Sequence, residues 1–220
     1  MRIVIIANGD PPTSDELTRW LDASATLICA DGGARIALSL GLKPAHVIGD
    51  FDSLSDADLR ALEAGGAQLH RHSPRKDETD LELALMLAAR LLADDPQPEV
   101  IILGATGGRL DHALANIMLL AMPVLKRVRI RLVHRREQVF LLDARDGPVE
   151  VTLHGQAGDL VSLLPFGGDA HGIRTSGLEY PLCDESLWLG PARGVSNVLL
   201  GPHATITLRS GMLLCIQSTR

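Results

Sequence analysis

The sequence predicts an α/β chain in two parts: an N-terminal, mostly parallel sheet with flanking helices, followed by a C-terminal β-sandwich. Three observations point to this. Short β-branched apolar runs alternate with capped helical patterns up to residue 122. From Val128 onward only β-type runs follow, most of them separated by Gly and Pro turns. Strands alternating with helices imply a parallel sheet covered on both faces, and closely spaced strands imply a sandwich or small barrel. The third observation is scale: 220 residues at 46% hydrophobic and 22% charged can bury a core, and with aromatics at 3% aliphatic side chains must fill it.

The elements follow in order. "RIVIIA" (2–7) reads as a buried strand, and "TSDELTRWL" opens a helix because Thr13 and Glu16 stand in capping-box spacing. "ATLICA" (25–30) is a strand, and "ARIALSL" is a helix stopped at Gly41, where a left-handed end is expected. "HVIG" (46–49) is a short strand, "SDADLRALEAGG" a capped helix, and "AQLHR" a weak strand. "ETDLELALMLAARLLADD" is a long helix, "EVIILG" (99–104) a strand, and "RLDHALANIMLLAM" a helix. The β-type runs are "VRIRLV", "EQVFLL", "VEVTL", "DLVSLLP", "NVLL", "ATITL" and "MLLCIQ". The turn-rich "DARDGP" (143–148) sets the boundary between expected domains 1–145 and 146–220.

Composition excludes several partners. A net charge of −6 repels phosphate backbones, so nucleic acid is not expected. Cys29, Cys183 and Cys215 are odd in number, widely spaced and in apolar surroundings, which reads as reduced core thiols. The N-terminal apolar run is too short for a signal peptide, and no uncharged run approaches the ~18 residues of a membrane span. A cytoplasmic protein is the expectation.

The unusual residues follow the strands, where open α/β sheets bind ligands. They fall in "NGD", "DGG" (31–33), "GDFDS" (49–53), "KDETD" (76–80) and "GATGGRLDH" (104–112). Asp50 and Asp52 are i and i+2, which puts both on one side of extended backbone. Two carboxylates facing one way need a cation, or one takes a proton. Hard oxygen donors suit Mg²⁺ completed by substrate phosphate; a turn with two solvated acids is the plainer alternative. Asp77 and Asp80 start the long helix, where acids serve either as caps or as ligands. Lys76 beside them suits a phosphate held against metal. Asp31 precedes glycines that let backbone N–H groups approach an anion. Gly104, Gly107, Gly108 and Arg109 suit phosphate at a helix N-terminus, although the run is neither a P-loop nor a dinucleotide fingerprint. His112 and Asn116 lie one turn apart and share a helix face. His70 and His72 read as an edge-strand pair.

Taken together, "ADGGA", "VIGDFDSL", "RKDETDLELAL" and "GATGGRLDHALANI" resemble the thiamine pyrophosphokinase family in order and spacing. "TSGLEYPL" (175–182) and "RGVSN" (193–197) are similar to that family's thiamine-side segments, so the resemblance covers nearly the whole chain. It implies a Rossmann-like nucleotide-binding catalytic domain over 1–145, a thiamine-binding β-sandwich over 146–220, and a homodimer with the thiamine site at the subunit interface. The implied reaction moves a diphosphoryl group from ATP to the hydroxyl of thiamine, giving thiamine diphosphate and AMP, with Mg²⁺ as cofactor. Asp50, Asp52 and Asp80 match the metal-binding acids and, with Arg109, the catalytic set. Asp31, Gly32, Lys76, Asp77, Thr79, Thr106, Arg109, Asp111, His112 and Asn116 fall to the nucleotide and its phosphates. Tyr180, Ser196 and Asn197 fall to thiamine. Tyr180 stands where some members carry tryptophan, and Trp188 lies close by in sequence. Two competing readings are a D-x-D phosphohydrolase, which usually carries its motif after the first strand rather than the third, and a non-catalytic nucleotide or thiamine sensor.

Overall fold

A computed structural model describes all 220 residues, and the chain divides into two compact units, Met1–Arg135 and Arg136–Arg220. The first unit runs β1 (Arg2–Ile6), α1 (Ser14–Trp20), β2 (Thr26–Ala30), α2 (Gly33–Ser39), β3 (His46–Gly49), α3 (Asp56–Ala64), β4 (Gln68–Arg71), α4 (Asp80–Leu91), β5 (Glu99–Leu103), α5 (Leu110–Met118) and β6 (Arg129–His134). These strands lie in the order β6-β5-β1-β2-β3-β4, and every neighbouring pair is parallel. The chain steps outward from β1 to β4 and then returns to set β5 on the other side of β1. The switch point therefore falls between β1 and β5, where such sheets open a crevice beyond their carboxyl ends.

The buried strands are continuous apolar runs because both faces are covered. Ile3, Val4, Ile5 and Ile6 are all fully buried, as are Val100 to Leu103 in β5. Fully burying such a side chain contributes roughly 1.5–3 kcal/mol, so the central strands anchor the unit. Gly41 takes φ 69, the left-handed stop expected after α2.

Helices α1 and α3 start at the expected caps, and Thr79, rather than Asp77 or Asp80, caps α4. Thr13, Ser55 and Thr79 each accept a hydrogen bond from the backbone N–H three residues on. The Glu16 carboxylate does more than close its capping box. One oxygen accepts from the N–H and hydroxyl of Thr13 at 2.6 and 2.8 Å, while the other accepts from Arg135 N at 2.6 Å. A buried acid thus ties the start of α1 to the turn after β6.

The second unit comprises β7 (Glu137–Asp143), β8 (Val149–His154), β9 (Leu160–Pro165), β10 (Ala170–Ser176), β11 (Cys183–Leu187), β12 (Asn197–Val198), β13 (His203–Leu208) and β14 (Met212–Ser218). Strands β12-β9-β14-β7 pair antiparallel, as do β11-β10-β13-β8. Phe140, Leu163, Leu213 and Cys215 from the first set share one core with Leu153, Ile173, Leu187 and Ile206 from the second, which makes the sandwich.

One expectation needs correction. Cys183 is exposed at the start of β11, whereas Cys29 and Cys215 are buried, and burial pushes the Cys29 thiol up to about 12. Helix α5 does not bury its apolar stripe: Leu110, Leu114 and Met118, spaced i, i+4, i+8, are 74%, 50% and 63% exposed.

Candidate active site

The loops leaving β1 to β5 converge on one cavity of about 630 Å³ at the carboxyl ends of the strands. Asn8 and Gly9 enter from β1, Asp31 from β2, Asp50 and Asp52 from β3, and Lys76, Thr79 and Asp80 from the β4–α4 junction. Gly104, Ala105 and Gly107 to Arg109 close the opposite wall, with His112 and Asn116 from α5.

Carboxylate oxygens of Asp31, Asp50 and Asp52 lie within 4.8 Å of one another. Extended backbone is not what gathers them. Phe51, between the two aspartates, takes φ 67, and the Asp52 N–H donates to an Asp50 carboxylate oxygen at 3.2 Å. The expected i, i+2 strand geometry is thus replaced by a left-handed kink. Asp31 also sits at a positive φ, 40°, and is only 8% exposed. Its Oδ1 has no hydrogen-bond partner. A buried carboxylate oxygen without a donor is costly unless a cation meets it. Three hard oxygen donors around such an orphan fit a divalent cation of the Mg²⁺ class.

The electrostatics agree. The charges of Asp50 and then Asp31 raise the Asp52 carboxyl above its ordinary value. Burial raises Asp80, opposed by Lys76, whose ammonium pairs with Asp80 at 2.9 Å. Asp80 thus stands outside the tight trio while its charge still reaches Asp52. The Thr79 hydroxyl caps α4, accepting from Glu82 N at 3.2 Å, and so fixes where Asp80 begins the helix.

The opposite wall is two interlocked loops. Gly9 N donates to Gly104 O at 2.7 Å, and Asp10 N donates to Thr106 O at 2.8 Å. Gly107 takes φ 105, which an L side chain rarely adopts. The Asn116 amide donates to Ala105 O at 2.7 Å and so anchors this loop from α5. Arg109 lies at the head of α5 and pairs with Asp111 at 2.6 Å, which pulls the Asp111 carboxyl down to about 2.

Gly32, Asp77, Thr106 and Asp111 are not among the lining residues. Gly32 is close beneath the wall, since a Cβ there would collide with the Asn8 side chain. Thr106 keeps a buried hydroxyl without a partner. Asn8 and Glu78 line the cavity but were not singled out as site residues in the sequence. Position alone signalled them: Asn8 falls just after β1 in "NGD", and Glu78 falls within "KDETD".

In the second unit Tyr180 is 64% exposed and its backbone is clamped by Asn197. The buried Asn197 amide donates to Tyr180 O at 2.7 Å and accepts from Tyr180 N at 3.0 Å and Val198 N at 2.9 Å. Ser196 is exposed at φ 60, and its N–H donates to Ser162 Oγ at 3.0 Å. Trp188 is 56% exposed, with its ring edge-on to His171 at 5.6 Å.

Comparison with known proteins agrees with this geometry. Residues 17–132 match the family model described as thiamin pyrophosphokinase, catalytic domain, and residues 149–213 match thiamin pyrophosphokinase, vitamin B1 binding domain. The chain is 33% identical over 218 residues to the thiamine pyrophosphokinase of Bacillus subtilis, covering 99% of this chain and 98% of that one. It is 26% identical over 233 residues to thiamine pyrophosphokinase 1 of Oryza sativa, covering 97% and 86%. The crystal structure of the Bacillus subtilis protein superposes with a TM-score of 0.85 at 32% identity over 100% of both chains. That of thiamin pyrophosphokinase from Geobacillus thermodenitrificans gives 0.83 at 26% identity over 100% and 98%. With its catalytic-domain match spanning more than half the sequence and a relative this similar along its whole length, the chain belongs to the thiamine pyrophosphokinase family.

Proposed function

We infer that the cavity of the first unit is where this thiamine diphosphokinase holds ATP, with Mg²⁺ seated on the aspartates. The enzyme converts ATP and thiamine to AMP and thiamine diphosphate. The thiamine hydroxyl oxygen bonds to the β-phosphorus while the bond from that phosphorus to the α–β bridging oxygen breaks. AMP leaves with the bridging oxygen, and the hydroxyl proton is released. Such transfers need positioning and charge neutralisation more than covalent help from the protein. The observation that carries the reading is the trio Asp31, Asp50 and Asp52 with its unpartnered buried oxygen.

Asp31, Asp50 and Asp52 would hold the ion, with Asp80 completing the acidic wall. When bound, Mg²⁺ neutralises polyphosphate charge and makes the β-phosphorus more electrophilic. Lys76 exchanges its contact with Asp80 for a phosphate oxygen. The loop from Gly104 to Gly108 offers backbone N–H groups to the phosphates, and Arg109 grips them from the head of α5. Thr79, His112 and Asn116 line the cavity, and Gly32, Asp77, Thr106 and Asp111 stand behind that lining on the same loops. The acidic pocket also favours the thiazolium cation.

The second unit supplies thiamine contacts through Tyr180 and Ser196, and Asn197 acts by fixing Tyr180. We expect Asn197→Ala to raise the KM for thiamine at least about tenfold, with the KM for ATP unchanged, because both side-chain hydrogen bonds to the Tyr180 backbone are lost. An unchanged thiamine KM would reject this.

A homodimer is the working assembly, its thiamine site at the subunit interface, since the Leu110, Leu114 and Met118 stripe needs an apolar partner. Sedimentation should show a dimer for the wild type and a monomer for Leu114→Glu; a fully active wild-type monomer at assay concentration would reject it. No helix is long and apolar enough to cross a membrane, and a cytoplasmic location with no nucleic-acid partner goes with the reading.

Mass spectrometry of products tests the whole. AMP should appear in step with thiamine diphosphate. ADP with thiamine monophosphate would place attack at the γ-phosphorus and overturn it.

A further inference from the structure

Phe51 is a bulky aromatic at φ 67, a conformation that persists in such a residue only when its surroundings over-determine it. From below, its ring is 4% exposed and belongs to the first unit's core. From outside, one side chain braces the kink. Arg71, the last residue of β4, sets its guanidinium carbon 4.8 Å from the Phe51 ring centroid. Its Nη1 donates to the carbonyl oxygen of Asp50 at 3.1 Å. Strand pairing brings it there: Gly49 is the register partner of Arg71, and His72 N donates to Gly49 O at 2.8 Å.

We propose that Arg71 is a positioning residue for the metal site, holding the Gly49–Ser53 loop in the left-handed turn that carries Asp50 and Asp52 to Asp31. The inference rests on the assignment of those aspartates to the cation. Arg71 does not line the cavity, so it acts through the loop and not on substrate. Arginine is required because one planar group must stack on a ring and donate to a carbonyl at once. A lysine ammonium keeps the charge but cannot do both.

The charge of Arg71 and its geometry predict opposite results. If only its positive charge mattered, removing it would tighten cation binding by the nearby aspartates. If it positions them, removal loosens binding. The measurement is Mn²⁺ binding to nucleotide-free protein by water-proton relaxation, for wild type, Arg71→Gln, Arg71→Lys and Asp52→Asn. Thermal melts in EDTA verify folding, and Arg71 is itself exposed. We expect both Arg71 variants to bind Mn²⁺ at least about tenfold more weakly than wild type, the cost usual for the outer partners of metal ligands. Unchanged or tighter binding in Arg71→Gln, or full rescue in Arg71→Lys, overturns the proposal alone. Equal Mn²⁺ binding in wild type and Asp52→Asn overturns the metal assignment and this inference with it. Should Arg71→Gln not fold, Arg71→Lys, which keeps the stem and charge, decides.

Discussion

Asp52→Asn should cut turnover by at least about 100-fold, the scale of losing one charge-stabilising group at a reacting phosphate, while leaving the metal-free fold at least as stable as wild type. The residue is exposed and supports no core packing. What it does in the absence of metal is repel. Asp50 and Asp31 raise its carboxyl from the ordinary 3.8, so the folded state holds that proton more tightly than the unfolded state does. The sign follows by linkage. Protonated Asp52 contributes stability that is full below the ordinary carboxylate value and is lost as pH rises through the raised one. Asn carries no charge and loses nothing over that window. In EDTA, the melting temperature of the variant should therefore gain on wild type as pH rises through the carboxylate range, and the gap should then stay level toward neutrality. Added Mg²⁺ should raise the melting temperature of wild type and not of the variant. Activity within about tenfold of wild type, a barrier change near 1.4 kcal/mol, would remove Asp52 from the principal ligands. A variant that melts lower at neutral pH without metal would mean that the Asp52 carboxylate makes a stabilising contact that outweighs its repulsion by Asp50 and Asp31.

The sequence carried the fold where local rules and tertiary demands agree. Continuous β-branched runs such as Ile3 to Ile6 can be satisfied only by burial on both faces, and Thr13 and Ser55 cap helices because the hydroxyl reaches an amide in any context. The site's location was legible for a similar reason: the unusual residues all follow strands. Its internal geometry was not. The kink at Phe51 is imposed by a core beneath and by Arg71 above, and the arginine comes from a strand reached only after another helix. Lys76 and Asp80 read as a phosphate ligand and a metal ligand. The structure joins them to each other, as i, i+4 neighbours across a helix start will do when no substrate separates them. Glu16 satisfied its capping box on paper, yet its second oxygen serves an amide 119 residues away. Helix α5 was legible as a helix, but its apolar stripe of Leu110, Leu114 and Met118 lies exposed, and periodicity reports such a stripe without naming what covers it.

Gly9→Ala should be the most damaging single methyl in the site. Gly9 has an ordinary φ, so the argument is one of space, not of backbone freedom. A Cβ there would collide with the carbonyl oxygens of both Thr106 and Gly104. Neither can swing aside, because both are backbone atoms already held by Gly9 N at 2.7 Å and Asp10 N at 2.8 Å. The β1 and β5 loops must part. Overpacking costs typically about 1–3 kcal/mol, and each backbone hydrogen bond broken adds about 1 kcal/mol. A loss of about 2–5 kcal/mol corresponds to a melting temperature lower by roughly 5–15 °C in a chain of this size. The separation also deforms the wall formed by Gly104 to Arg109, so the KM for ATP should rise more than the KM for thiamine. Gly201→Ala is the control: no atom lies within 4 Å of a Cβ there, and it should match wild type in both respects. Wild-type melting and ATP affinity in Gly9→Ala would show that the two loops are free to move apart, and that their interlock does not build the phosphate wall.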